Sequence, residues 1–163
     1  MKHSENADLT CGRCGHPVRE ADTYCMNCGA LFVDSLRCSV HPVVEAEGVC
    51  VICAKPFCKE CGGESDKIFR CDAHFAEYEI QEGMARVFGS TDNVQAQYVT
   101  SCLTQAGLHP FLYSRLFNPG ADLVAITGPR NFGRHPVVEL KVLVPFAEAL
   151  EARKRLRQMK LIT

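Results

Sequence analysis

The sequence lacks tryptophan, lacks a long apolar run and carries almost no net charge (−1). No stretch approaches the roughly 18–20 apolar residues that a helix needs to cross a bilayer. The first fourteen residues, MKHSENADLTCGRC, contain no apolar segment typical of a secretory signal. We therefore expect a cytoplasmic protein without membrane association. A hydrophobic content of 47% with 23% charged residues predicts folded domains rather than disorder.

Cysteine is the residue present in excess, with 11 in 163 residues. Ten of these 11 lie between Cys11 and Cys71, and Cys102 stands apart. Dense cysteine indicates either disulfides in a secreted protein or metal ligation in a reducing compartment. The expected cytoplasmic location favours metal ligation. The pattern also divides the chain into a cysteine-rich first half and a conventional second half.

The first cysteine group has the spacing of a zinc site. Two Cys-x2-Cys pairs lie ten residues apart, and a glycine follows each pair. A two-residue gap lets both sulfurs of a tight turn face one tetrahedral ion, and the glycine suits a turn that needs a positive φ. Residues 9–32 resemble short bacterial zinc-ribbon domains, including the aromatic Tyr24 before the second pair. The predicted ligands of this zinc ion are Cys11, Cys14, Cys25 and Cys28.

The second cysteine group has eight candidate ligands in four pairs, enough for two four-coordinate zinc ions. The spacing alone permits sequential or interleaved pairing. The four pairs are Cys38-x2-His41, Cys50-x2-Cys53, Cys58-x2-Cys61 and Cys71-x2-His74.

Residues 36–76 resemble B-box zinc fingers in the Cys-x2-His-Pro start, the short step from Cys53 to Cys58 and the count of eight ligands. The chain departs from many animal B-boxes, whose last pair is two histidines. A RING finger is less similar, because its first pair is usually two cysteines. The resemblance implies an interleaved cross-brace in which Cys38, His41, Cys58 and Cys61 hold one ion, and Cys50, Cys53, Cys71 and His74 hold the other.

The second half predicts an α+β domain. Ser90, Thr91 and Asp92 offer N-cap oxygens to an apolar-periodic segment that ends at Gly107. The resulting order, β-α-β-(β)-β-α, is related to the ferredoxin-like plan. The predicted elements are strand Met84–Phe88, helix Asn93–Ala106, strand Phe111–Ser114, a possible strand Leu123–Ile126, strand Val137–Val144 with one solvated face, and helix Phe146–Lys160 with Pro145 in its first turn.

Residues 84–160 resemble a small bacterial family of signal-transducing domains of unknown function. The similarity rests on the order of elements, on Ala106-Gly107-Leu108 after the first helix, and on Leu143-Val144-Pro145 before the last one. It implies a regulatory or interaction role. The family contributes no catalytic residues to this sequence.

No enzyme signature emerges from the remaining residues. Cys102 lies on an apolar stripe at helical spacing, where a small core residue is the ordinary interpretation. The other members of this stripe are Val94, Tyr98, Val99, Leu103 and Ala106. No histidine shares that face to activate its thiol. The loop Gly128–His135 matches no phosphate-binding fingerprint and is read as an inter-strand connection. We predict that the protein is not an enzyme.

Charge distinguishes between the remaining functions. Lys/Arg against Asp/Glu is 3:5 in residues 1–36, 5:6 in 37–74 and 10:8 in 75–163, so neither cysteine module is basic. Three Zn²⁺ on ten thiolates would move the net charge from −1 to −5 (−1 − 10 + 6). Binding to nucleic acid needs phosphate neutralisation, which this balance disfavours. The sequence therefore predicts a non-enzymatic zinc-binding adaptor or regulator that contacts a protein partner. The alternative is a nucleic-acid-associated zinc-ribbon protein using the basic segment Arg153–Lys160.

Overall fold

The structure is a computed structural model, and it describes residues 9–114 and 139–162. The chain divides into two compact units, Met1–Glu79 and Ile80–Thr163. Both predicted cysteine modules lie in the first unit, and the predicted α+β domain lies in the second. Every helix in the described part of the chain is too short or too polar to traverse a bilayer.

From residue 9 onward, the first unit consists of short antiparallel hairpins and one short helix. Hairpins of two to four residues per strand are not stable by themselves, so they need a shared core or another constraint. Strand β1 pairs with β2, β3 with β4, and β5 with β6. The elements are β1 (Leu9–Thr10), β2 (Pro17–Val18), β3 (Gly48–Val49), β4 (Pro56–Phe57), β5 (Gly62–Ser65), β6 (Ile68–Cys71) and α1 (Asp72–Glu77).

Phe69 lies where the first cysteine module meets the second. Its side chain is 2% exposed and its backbone N–H donates to the carbonyl of Cys28 at 2.9 Å. The N–H of Val49 donates in the same way to Gly29, also at 2.9 Å. A Cβ on Gly48 would come within 2.6 Å of the Phe69 ring. The modules predicted as separate domains therefore pack together through backbone hydrogen bonds and one aromatic side chain.

In its described residues, 80–114 and 139–162, the second unit has a four-stranded antiparallel sheet with order β7-β8-β10-β9 and two helices. The predicted mixture of helix and strand in this half is confirmed, and the ferredoxin-like plan stays a prediction. The elements are β7 (Ile80–Gln81), β8 (Met84–Ser90), α2 (Asn93–Gln105), β9 (Phe111–Tyr113), β10 (Leu140–Val144), a 3₁₀ turn (Phe146–Glu148) and α3 (Ala149–Gln158).

Helix α2 begins and ends as its capping residues predict. The carboxylate of Asp92 accepts hydrogen bonds from the N–H groups of Val94 (2.8 Å) and Gln95 (3.4 Å). Gly107 follows the helix with φ +81°, the left-handed geometry that glycine adopts without strain. The sequence predicts both capping residues, and the structure confirms them.

The buried face of α2 differs from the predicted stripe. Ala96, Val99 and Leu103 are fully buried, whereas Val94 is 76% and Tyr98 55% exposed. The predicted stripe was right for Val99 and Leu103 and wrong for Val94 and Tyr98. The periodicity outlined too wide a face, because contact with the sheet determines which part of an apolar face is covered.

Other differences concern strand and helix ends. The prediction of a solvated face on β10 was wrong for its last three residues, Val142–Val144, which are all fully buried beside a register shift against β8. Pro145 precedes a 3₁₀ turn rather than lying within the helix, and α3 starts at Ala149. The short edge strand β7 was not predicted. The predicted strand Leu123–Ile126 and the loop Gly128–His135 lie outside the described residues.

Candidate metal centres

The twelve predicted ligand side chains converge in three groups of four. Within each group the candidate ligand atoms all lie within 4.8 Å of one another, and each group could hold a metal ion. The second module has the interleaved arrangement rather than the sequential one. The first centre is Cys11, Cys14, Cys25 and Cys28; the second is Cys38, His41, Cys58 and Cys61; the third is Cys50, Cys53, Cys71 and His74.

The separations between ligand atoms fit tetrahedral coordination. Metal–sulfur bonds of about 2.3 Å place two sulfurs of a tetrahedron about 3.8 Å apart, and a sulfur and a nitrogen about 3.5 Å apart. In the first centre, Sγ of Cys11 lies 3.7 Å from Sγ of Cys28. In the second centre, Nδ1 of His41 lies 3.3 Å from Sγ of Cys61. All three groups therefore have the size of a four-coordinate site.

Three of the cysteine pairs lie in backbone turns of the same type. In each turn the first cysteine accepts a hydrogen bond from the N–H four residues later, at 2.7–2.8 Å, and donates its own N–H to the carbonyl five residues later, at 2.8–2.9 Å. The residue after the second cysteine has a positive φ in every case. These residues are Gly15 (+74°), Gly29 (+78°) and Ala54 (+54°). The glycine signal used in the sequence therefore found two of three equivalent turns and missed the one that contains alanine.

The histidine ligands are held by different elements. His41 lies in a loop whose ends are joined by the Cys38 N–H, which donates to the Val44 carbonyl at 2.9 Å. His74 lies on α1, and its Nδ1 is 3.4 Å from Sγ of Cys50 and 3.3 Å from Sγ of Cys71. The ring of Tyr78 packs edge-on against the His74 ring, with centroids 5.6 Å apart. Both histidines thus present Nδ1 to the cysteine sulfurs.

Each centre combines a cysteine that ionises easily with others that resist ionisation. Desolvation raises the pKa of Cys38, but backbone hydrogen bonds from Cys58, His41 and Val40 outweigh it and lower the pKa to about 6. Desolvation, with hydrogen bonds to Cys58 and Cys38 and their charges, raises the pKa of Cys61 to about 12. Clustered thiolates repel each other unless a cation lies among them. The second centre therefore has the electrostatics of a cation site.

The third centre shows the same division more strongly. The hydrogen bond between Cys50 and Cys53 is the largest effect on the pKa of Cys50. It lowers this pKa to about 4, although burial acts in the opposite direction. The same interaction raises the pKa of Cys53. In the first centre, burial raises the pKa of Cys14, yet hydrogen bonds from the His16 backbone and the Asn27 side chain lower it to about 7. A bound cation would remove the repulsion that keeps the neighbouring thiols protonated.

Arg70 is a buried cation beside the third centre that sequence reasoning missed. Arg70 directly precedes Cys71 in β6, and it is 7% exposed. Burial lowers the pKa of Arg70, and the charges of Cys50 and Asp66 oppose that effect. Its only sequence signal is a charged residue inside the apolar strand Ile68–Cys71. The role of Phe69 was also missed, although Gly48 and Gly62 inside strands are a sign of close approach by another group.

Cys102 is separate from the metal centres. It is partly exposed on α2, and its side chain hydrogen-bonds the hydroxyl of Tyr98, which raises the pKa of that tyrosine. All eleven cysteines lie in the described residues and none forms a disulfide. His109 lies in the second unit, where Nδ1 contacts a carboxylate oxygen of Glu148 at 2.6 Å.

An open, mostly apolar cleft of about 400 Å³ lies in the second module. Ligands from both of its centres line the cleft, with Cys61 from the second and Cys53 from the third. The apolar side chains of Val40 and Phe57 also line it. The cleft is therefore a concave surface whose shape depends on both centres.

Comparisons with known proteins identify no relative. The sequence matches no protein-family model, no curated protein and no solved structure. The resemblances to zinc ribbons, B-boxes and signal-transducing domains therefore rest on the residues and spacings themselves.

Proposed function

We propose that the protein is a non-enzymatic zinc-binding adaptor or regulator that acts through protein–protein contacts in the cytoplasm. The observation that carries the proposal is the closure of the three candidate metal centres, each with four protein ligands. Structural zinc sites have this composition, whereas catalytic sites keep a position for water or substrate. Sets of thiolates with or without one imidazole favour zinc over the harder cations. In this proposal all three zinc ions are structural.

Exposed apolar side chains on the first unit support a protein partner. Val40 is 58% and Val43 89% exposed, and both belong to the loop that carries His41. Val40 also lines the open cleft. Adjacent apolar groups at a concave surface are typical of sites that bind other proteins. The metal ions would then act by holding this loop and cleft in shape.

The charges give less support to nucleic-acid association. In α3, the basic side chains of Lys154 and Arg155 contact Glu151, at 3.7 Å and 2.8 Å. These contacts reduce the positive charge that the helix can offer to phosphates. Nucleic acid is therefore the alternative partner, and it makes a different prediction about salt.

Native mass spectrometry of the chain purified without added metal tests the metal part of the proposal. We expect three zinc ions per chain and no nucleic acid. Two or fewer ions in the intact folded chain would contradict three closed structural centres.

Affinity purification after nuclease treatment tests the adaptor part. We expect a protein partner to be retained by the wild type and lost with Val43→Glu. Val94→Glu is the matched control, because Val94 is also a largely exposed valine (76%) and lies on the second unit. Binding to labelled oligonucleotides that weakens with salt, and with neutralisation of Arg153, Lys154 and Arg155, would instead favour the nucleic-acid alternative.

A further inference from the structure

Arg70 is an arginine with almost no access to water and few partners. It is 7% exposed, and its Nε has no hydrogen-bond partner among the described residues. Removing a guanidinium from water costs several kcal/mol unless nearby groups compensate. A charge is retained in such a position only where the surroundings supply an opposite charge or a specific contact.

The contacts of Arg70 are concentrated on the helix that carries a ligand of the third centre. Its Nη1 donates to the carbonyl of Tyr78, the C-cap of α1, at 2.6 Å. Its guanidinium carbon lies 4.3 Å from the centre of the Phe75 ring. A cation near the last carbonyls of a helix, and over an aromatic face, is favourable in both positions. Arg70 therefore anchors α1 through Phe75 and Tyr78, which flank the end of the helix beyond the metal ligand His74.

Helix α1 needs such an anchor. It has six residues, and its N-cap residue Cys71 makes no side-chain capping hydrogen bond. A helix this short is not stable in isolation, because nucleation costs more than one turn returns. His74 holds the helix from the metal side, and Arg70 holds it at Phe75 and Tyr78. The position of the His74 ring thus depends on both.

The third centre also supplies the opposite charge. Three thiolates and one neutral imidazole around a divalent ion carry a net charge of −1. Arg70 directly precedes the ligand Cys71 in β6, and the negative charges that act on its guanidinium are those of Cys50 and Asp66. The buried cation and the anionic centre therefore stabilise each other.

We propose that Arg70 is a positioning residue of the third metal centre. Its buried guanidinium holds α1, and with it the His74 ring, in place, and its positive charge helps the centre to retain its ion. The inference rests on the proposed zinc binding and extends it to a residue that is not a ligand. Groups that surround metal ligands in this way typically change metal affinity 10–100-fold when they are removed. The effect should be confined to the third centre.

Arg37 provides a matched control. It stands directly before Cys38, a ligand of the second centre, as Arg70 stands directly before Cys71. Its side chain, however, is 51% exposed and pairs with Glu45 at 3.3 Å. Loss of an exposed pair of this kind has little effect on stability. The two arginines therefore differ in burial but not in sequence distance from a ligand.

The test is chelator-induced metal release followed by alkylation of the cysteines, with each modified peptide identified by mass spectrometry. In Arg70→Met, we expect Cys50, Cys53 and Cys71 to become reactive about tenfold faster than in the wild type. The cysteines of the other two centres should react at wild-type rates. Arg70→Lys keeps the positive charge and should restore most of the protection, and Arg37→Met should behave as the wild type.

Three outcomes would overturn the inference: an unchanged rate in Arg70→Met, an equal acceleration at all three centres, or equal losses in Arg70→Met and Arg70→Lys. The last outcome would leave Arg70 as a packing residue without an electrostatic role. Failure of the underlying zinc proposal looks different, since wild-type cysteines would then be alkylated at once, before any chelator is added.

Discussion

The N–H of Phe69 donates a hydrogen bond to the carbonyl of Cys28 across 2.9 Å, and so connects a strand of the second cysteine module to a ligand of the first. Gly29, next to Cys28, accepts a parallel contact from Val49. The first and third metal centres are therefore linked by backbone, since Phe69 lies two residues before the ligand Cys71. This contact makes Gly15 and Gly29 unequal, although both follow a Cys-x2-Cys pair in the sequence.

Alanine substitution should distinguish the two glycines. Both have positive φ, so Gly15→Ala should cost about 0.5–1 kcal/mol, because the backbone strain exceeds the benefit of a less flexible unfolded chain. A Cβ on Gly29 would also lie 2.1 Å from the Val49 carbonyl oxygen, whereas one on Gly15 would meet nothing within 4 Å. We expect Gly29→Ala to lower the denaturant midpoint of the metal-loaded chain clearly more than Gly15→Ala. Equal losses would mean that the modules do not pack at this contact.

Glycine in place of Ala54, in the turn of the Cys50–Cys53 pair, should stabilise the folded protein. Ala54 occupies the position of Gly15 and Gly29 with φ +54°. Relief of that strain exceeds the added chain entropy of glycine, so Ala54→Gly should raise the free energy of unfolding by about 0.5–1 kcal/mol. Chemical denaturation of the metal-loaded chain measures the change. Ala76→Gly, within helix α1, is the control and should destabilise by a similar amount.

Single-ligand variants should remove metal ions one at a time. Cys14→Ser deletes one ligand of the first centre, and we expect native mass spectrometry to count two zinc ions instead of three. Cys102→Ser should retain three, because Cys102 belongs to none of the groups. Loss of an ion from Cys102→Ser would contradict the ligand assignment.

Metal affinity should fall with acidification. The pKa of Cys61 is raised to about 12, so its thiol is protonated at pH 7 and must release a proton when metal binds. Cys50, with a pKa of about 4, is already ionised at pH 7. Protons therefore compete with the metal for the Cys50 thiolate, and lower the metal affinity through it, only as the pH falls through about 4. Calorimetric titration with zinc in buffers of different ionisation enthalpy counts the released protons. Binding without proton release at pH 7 would contradict these shifts.

The contact between Glu148 and His109 should stabilise the second unit. Glu148 accepts hydrogen bonds from the backbone N–H of His109 at 2.7 Å and approaches its ring nitrogen at 2.6 Å. Glu148→Ala should lower the free energy of unfolding by about 1–2 kcal/mol, because a charge-assisted hydrogen bond is lost. Glu151→Ala, which removes only ion pairs along α3, should change it by less than about 0.5 kcal/mol. Thermal unfolding of the two variants separates these cases.

Features that depend on local spacing could be predicted from the sequence. Two residues between paired ligands place both in one turn, and this spacing identified all twelve side chains that converge in the structure. Asp92 and Gly107 likewise marked the ends of α2, because capping depends on the nearest backbone groups. Local chemistry was sufficient for these predictions.

Other features depend on contacts between residues that are distant in sequence, and these could be read only from the tertiary structure. Interleaving of Cys38 with Cys58, and of Cys50 with Cys71, follows from the hairpins that bring these segments together. The exposure of Tyr98 follows from which side of α2 meets the sheet. The burial of Arg70 depends on α1 folding back over β6. Spacing along the chain carries no information about such contacts, because they arise only when separate elements pack.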